Sequence, residues 1–138
     1  MEVCMPTPVV RFRIDFAKNA YVGPGKIDLL EAIRNSGSVS QAARNLGMSY
    51  RRAWLLVESL KESFREPVTV ASTGGKGGGG MLVTGFGEAL ISSYRELERD
   101  IATLAVRRLH AIIPAVVRHS TSAAKSPRRP LMHKRSAI

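Results

Sequence analysis

The apolar residues of this chain change period several times, and each change predicts an element. Val10, Phe12, Ile14 and Phe16 alternate with Arg11, Arg13 and Asp15. Bulky residues at period two predict a half-buried strand, which Gly23-Pro24-Gly25 ends. Ile27, Leu30 and Ile33 then recur at helical spacing up to Ser36-Gly37 and predict a first helix. Val39, Ala42, Ala43 and Leu46 follow at i, i+3, i+4 and i+7 and predict a short second helix. Ser38 is placed to cap its start, and Gly47 stands where a left-handed helix end is wanted. A third helix over about 50–64, capped by Ser49, turns Ala53, Trp54, Val57, Leu60 and Phe64 inward. Arg51, Arg52 and Leu55 lie off that stripe, and Pro67 stops the helix.

The β-branched stretch Val68-Thr-Val70 predicts a strand. Met81-Leu-Val83 returns as a second strand after Thr73-Gly-Gly-Lys-Gly-Gly-Gly-Gly80, so the two form a hairpin around a glycine tip. Thr84 is placed to cap a last helix running to about residue 113. On it Leu90, Tyr94, Leu97, Ile101 and Leu104 keep a/d spacing until Arg108 breaks the pattern. Two readings stay open for that stripe: a helix packed on its own domain, or the seam of a homodimer. The expected fold is mainly α with a small β component. It is a winged helix-turn-helix over 10–113 with an N-terminal strand, a glycine-rich hairpin wing and a long C-terminal helix, the dimerisation helix being about 84–113. Residues 114–138 form a basic tail of low complexity, for which the composition predicts disorder.

Charge sharpens the picture. The chain of 138 residues has a net charge of +10 and a pI near 10.7, which points to a polyanionic partner. Arg118, Lys125, Arg128, Arg129, Lys134 and Arg135 all lie in the tail, which holds no acid. Much of the high pI is therefore a tail property, and a nucleic-acid argument has to rest on charges placed within the fold. The single cysteine, Cys4, allows no intrachain disulfide and fits a reducing compartment. The N-terminus has no signal-peptide pattern, and the apolar run over 109–117 is too short to span a bilayer. A cytoplasmic protein with no membrane partner is expected.

The chemistry concentrates where the second helix turns into the third. Arg51 and Arg52 open a helix whose dipole they oppose. Arginine there can grip guanine with two hydrogen bonds or hold phosphates, and the second helix of such a motif enters the major groove by its N-terminal end. Tyr50 can bond a phosphate or pack near Trp54. Ser38, Ser40, Gln41 and Ser49 sit at helix starts, where free amides and short polar side chains suit phosphate, although capping alone also accounts for serine there. Lys76 stands among six glycines, either as the charge of a wing tip against DNA or in an idle loop. It does not make a nucleotide-binding loop, because Gly77 follows it where serine or threonine is needed. His110, His119 and His133 are scattered without cysteine or carboxylate at ligand spacing, so neither a metal nor a cofactor is expected.

Gly37-Ser-Val-Ser-Gln-Ala-Ala, Met48-Ser-Tyr-Arg-Arg-Ala-Trp54, and the glycine run followed by Leu82-Val-Thr84 resemble the N-terminal DNA-binding domain of the ModE family, the molybdate-responsive transcription regulators. The resemblance covers roughly residues 12–104. It implies a homodimer, built largely by the DNA-binding domains, on an inverted-repeat operator. Full-length family members carry molybdate-binding modules after the long helix, whereas here only a basic, low-complexity stretch of about 25 residues follows. The expectation is thus a stand-alone form with no small-molecule ligand evident. The function expected is sequence-specific transcription regulation by a non-enzyme that binds double-stranded DNA. The alternatives are a nucleoid-type DNA binder of low sequence specificity and a partner-binding adaptor using the long helix.

Overall fold

A computed structural model describes residues 8–73 and 79–117 and shows a mainly helical chain with two small antiparallel strand pairs. The elements are β1 (Ile14–Ala17), β2 (Ala20–Val22), α1 (Pro24–Ser36), α2 (Val39–Leu46), α3 (Tyr50–Ser63), β3 (Thr69–Ser72), β4 (Gly80–Val83) and α4 (Gly85–Arg108), with a short 3-10 turn at Ile113–Ala115. The tail beyond residue 117 and the glycine tip at 74–78, including Lys76, lie outside the described residues.

Helix ends follow local chemistry. Pro24 opens α1, where its missing N–H costs nothing. Gly37 closes that helix at φ 76, its amide donating to the Ile33 carbonyl at 2.7 Å. Gly47 closes α2 at φ 65. The Thr84 hydroxyl accepts from the Gly87 amide at 3.0 Å and starts α4.

Two joined apolar clusters form the core, with α1 facing both. Leu29, Ala32 and Ile33 meet Val39, Ala42 and Ala43 of α2, Ala53 and Val57 of α3, and Met81 of β4. Ile27 and Leu30 meet Val22, Leu60, Val68, Ile91 and Tyr94. Alanines at 42, 43 and 53 let α1, α2 and α3 pack closely. Trp54 and Phe64, expected inside, are half-buried at the edges of the clusters.

The expected first strand is shorter than its pattern. Only Ile14–Ala17 pairs, because its partner β2 has three residues. Asn19 makes the turn at φ 63, a conformation asparagine tolerates better than most. A register shift between Asp15 and Ala17 marks a bulge at Phe16. The bulge breaks the alternation, and Phe16 is 58% exposed rather than half-buried.

Lys26 is only 1% exposed. Its Nζ donates to the Tyr21 carbonyl at 2.8 Å and sits 3.3 Å from the Tyr21 ring centroid, while the Arg13 guanidinium lies 3.6 Å from the same centroid. Burial, reinforced by the Arg13 charge and opposed by Glu62, lowers its pKa to about 8.

Helix α3 ends at Ser63, four positions before Pro67, and Phe64 is already extended. Helix α4 ends at Arg108 instead of near 113. Proline at 114 cannot continue an α ladder, and the chain turns around it through tighter bonds, Ile112 N to Leu109 O at 2.8 Å before it and Ala115 N to Ile112 O at 2.9 Å after it. Arg95 ties α4 to α1, donating to Glu31 at 2.8 Å and Asp28 at 2.7 Å, and to Glu98 of its own helix at 2.8 Å. The hydrogen bond from Arg95 holds the Glu31 carboxyl below its usual pKa against the opposing effect of burial.

Candidate nucleic-acid interface

Two helix starts are presented together. The Ser38 hydroxyl accepts from the Gln41 amide at 3.0 Å, and the Ser49 hydroxyl accepts from the Arg52 amide at 3.1 Å. Both serine oxygens therefore act as caps. Neither first turn carries an acid, so no carboxylate neutralises either positive dipole end. Arg51 and Arg52 are exposed in the first turn of α3, and among the described residues neither side chain makes an ion pair or hydrogen bond. Two cations are thus held at an already positive helix end without an ion pair among the described residues.

The β3–β4 hairpin is fastened beside these starts through the backbone. The Met81 amide donates to the Gly37 carbonyl at 2.8 Å. A Cβ at Gly80 would come within 3.1 Å of that same carbonyl oxygen and 3.3 Å of Ser72 Cβ, so glycine permits the approach. A groove results, lined by Ser38, Val39, Ser40, Tyr50, Trp54, Ala71 and residues 79–81. Tyr50 packs edge-on against Trp54 at 6.0 Å between centroids and is still 56% exposed.

The structure brings some of the predicted site residues together and separates others. Ser38, Ser40 and Tyr50 share the groove beside the hairpin. Ser49 and Arg52 border a second cavity, of about 290 Å³, with Gly25, Asp28, Leu46 and Met48. Arg51 lines neither. Gln41 is exposed on α2, its side-chain amide donating to Asn45 at 2.8 Å. Arg44, which the sequence reading passes over, donates to the Ser40 hydroxyl at 3.2 Å and adds a cation to the same helix surface. Its i+4 spacing from Ser40 was the available signal. The suspected dimer residues divide. Tyr94 is buried in this chain's own core and Leu90 packs half-buried against it. Leu97 and Leu104 are 36% and 45% exposed, with Ile101 half-buried between them. Ile14, Phe16, Val22, Leu90, Ser93, Tyr94 and Leu97 line an apolar groove between the first hairpin and α4.

Among the described residues no group of three or more His, Cys, Asp or Glu could hold a metal ion. No helix among them is long and apolar enough to cross a membrane.

No protein-family model matches the chain. It is similar to the molybdenum-pterin-binding protein MopB of Rhodobacter capsulatus, 42% identical over 85 residues that make up 62% of this chain and 32% of MopB. It is also similar to the transcriptional regulator ModE of Haemophilus influenzae, 34% identical over 95 residues, or 69% of this chain and 37% of that protein. With the DNA-binding transcriptional dual regulator ModE of Escherichia coli K12 it shares 39% identity over 74 residues, 54% of this chain and 28% of the relative. The chain thus spans about a third of the length of the relatives it matches. None of these names is that of an enzyme. The names of MopB and of the molybdenum-pterin-binding protein MopA of the same organism, 44% identical over 77 residues (56% of this chain, 29% of MopA), lend no support to the expected lack of a small-molecule ligand.

Proposed function

We propose that the chain is a DNA-binding transcription regulator of winged helix-turn-helix build. The observation that carries this reading is the pair of unpartnered arginines, Arg51 and Arg52, on the first turn of α3, beside a hairpin hydrogen-bonded to the Gly37 carbonyl. In this reading α3 enters the major groove by its N-terminal end. The start of α2, with Ser38, Ser40 and Gln41, receives a phosphate, and the hairpin, including Lys76 at its tip, lies along the backbone. Backbone contacts supply most of the affinity and groove contacts the sequence choice. The similarity to ModE regulators supports it. The protein acts as a homodimer through Leu97, Ile101 and Leu104. The apolar groove between the first hairpin and α4 supports that seam by continuing it toward β1.

A second reading, a molybdenum-linked binding role, is favoured by the 42% and 44% identities to MopB and MopA, which are named for molybdenum-pterin binding. Selection of bound duplexes from a random pool at stated salt, run beside calorimetry with molybdate, separates the two. The first reading expects an enriched inverted repeat. The second expects saturable molybdate heat without enrichment of any sequence.

A further inference from the structure

We infer that Leu55 is a specificity-determining residue that reads the C5-methyl group of a thymine; this rests on the DNA-binding reading above. Helix α3 spends Ala53, Val57 and Leu60 on the core, and Leu56 packs partly buried against the first cluster. Leu55 is turned the other way and is 60% exposed. A single exposed leucine is ordinary on a protein surface, but this one has a particular setting. It lies four positions after Arg51, hence one turn further along the same face, and the exposed residues before it are Tyr50, Arg51 and Arg52.

Beyond Leu55 the face changes sign. Glu58 and Glu62 are exposed, with Glu58 at 3.7 Å from Lys61. Carboxylates repel phosphates, so the part of α3 compatible with a duplex is its first turn and a half, and Leu55 is the far limit of that part. The Leu55 side chain has no donor or acceptor and can discriminate only by apolar contact. The apolar feature that distinguishes one base pair from the others in the major groove is the thymine methyl. Arg51, beside Leu55 on the face, supplies the polar half of the same readout.

The test begins with the wild-type chain and its selected DNA. Each thymine of the site is replaced singly by deoxyuridine, which removes the methyl and keeps every hydrogen-bonding group. Loss of one buried methyl contact lowers affinity about fourfold, and this loss is expected at one or two thymines for wild type. Leu55→Ala is expected to bind the parent duplex about fourfold more weakly, to show no further loss with deoxyuridine at those positions, and to keep its melting temperature. A flat deoxyuridine scan for wild type, or a loss that persists in Leu55→Ala, overturns the inference while leaving DNA binding intact. Failure of the wild type to enrich any sequence overturns the DNA-binding reading itself and this inference with it.

Discussion

The Tyr94 hydroxyl donates to the Phe12 carbonyl oxygen at 2.6 Å, and the two rings stack with centroids 4.7 Å apart. One residue of α4 thereby holds an N-terminal segment that no strand partner holds. Tyr94→Phe keeps the stack and loses the hydrogen bond, so it should cost about 1 kcal/mol. Tyr94→Ala also empties the core position and should cost about 3–5 kcal/mol. Urea unfolding of both variants checks the order.

Arg51→Ala and Arg52→Ala should each weaken DNA binding without lowering the unfolding midpoint, since neither side chain has a partner among the described residues. A bidentate base contact is worth about 1–3 kcal/mol of discrimination, so at least one variant should lose roughly tenfold or more in selectivity. Competition binding against the selected site reads this. Unchanged selectivity in both would remove α3 from the major groove.

Leu97 and Leu104 are exposed in the single chain. If they form a seam, Leu97→Glu with Leu104→Glu buries two charges in it, which is costly. The dimer dissociation constant should rise about a hundredfold or more, equivalent to about 3 kcal/mol. Sedimentation equilibrium is the measurement. A wild-type monomer at micromolar concentration counts against the seam before any substitution is made.

Lys26 gives a pH signature whose sign is fixed by its lowered pKa. Between about pH 8 and the ordinary value of 10.5 the unfolded chain keeps a proton that the folded chain has released. The unfolded state then binds more protons, so this side chain's contribution to stability rises with pH across that window. Below about pH 8 the cost of the buried charge is fully present. Lys26→Met should thus lose ground against wild type by about 2 kcal/mol between pH 8 and 9.5. Taking the difference between the two proteins cancels Tyr94, whose burial raises its phenol pKa. A stability difference independent of pH would mean that the ammonium is hydrated.

Gly87 is buried where the first turn of α4 packs against Val68 and β4. A Cβ there would run into the Val68 carbonyl and come within 2.6 Å of Val83 Cγ1. Gly87→Ala should cost about 1–3 kcal/mol despite the better helix propensity of alanine. Gly85→Ala, where a Cβ meets nothing, is the control and should be neutral or slightly stabilising. Thermal unfolding of the pair separates the clash from propensity.

What the sequence made legible was whatever chemistry is local. Ser38, Ser49 and Thr84 cap their helices, and Gly37 and Gly47 end theirs, because each acts on amides and carbonyls a few positions away. The buried stripes at Val39, Ala42, Ala43, Ala53, Val57 and Leu60 follow from periodicity alone. Strand β2 escaped because Ala20-Tyr-Val22 is too short to show alternation and its turn holds one asparagine and no glycine. Lys26 reads as a surface residue until Tyr21 folds over it. The Arg95 cluster depends on carboxylates more than 60 positions away on α1. At the candidate site the arginines stood out by helix position. The tie from Met81 to Gly37 did not, because it joins two backbones and leaves no mark in side-chain pattern.

That tie sets a gauge. The offset between the hairpin and the start of α2 is set by one peptide-to-peptide bond and the bare Cα of Gly80, with Met81 packed in the same cluster as Val39 and Ala42. Substitutions at the exposed residues of either element can therefore change what each prefers without moving the two apart, whereas a side chain at Gly80 would push the hairpin away from the Gly37 carbonyl. In the DNA-binding reading, relatives that keep glycine at this position would differ in the letters they read and share a footprint of constant width.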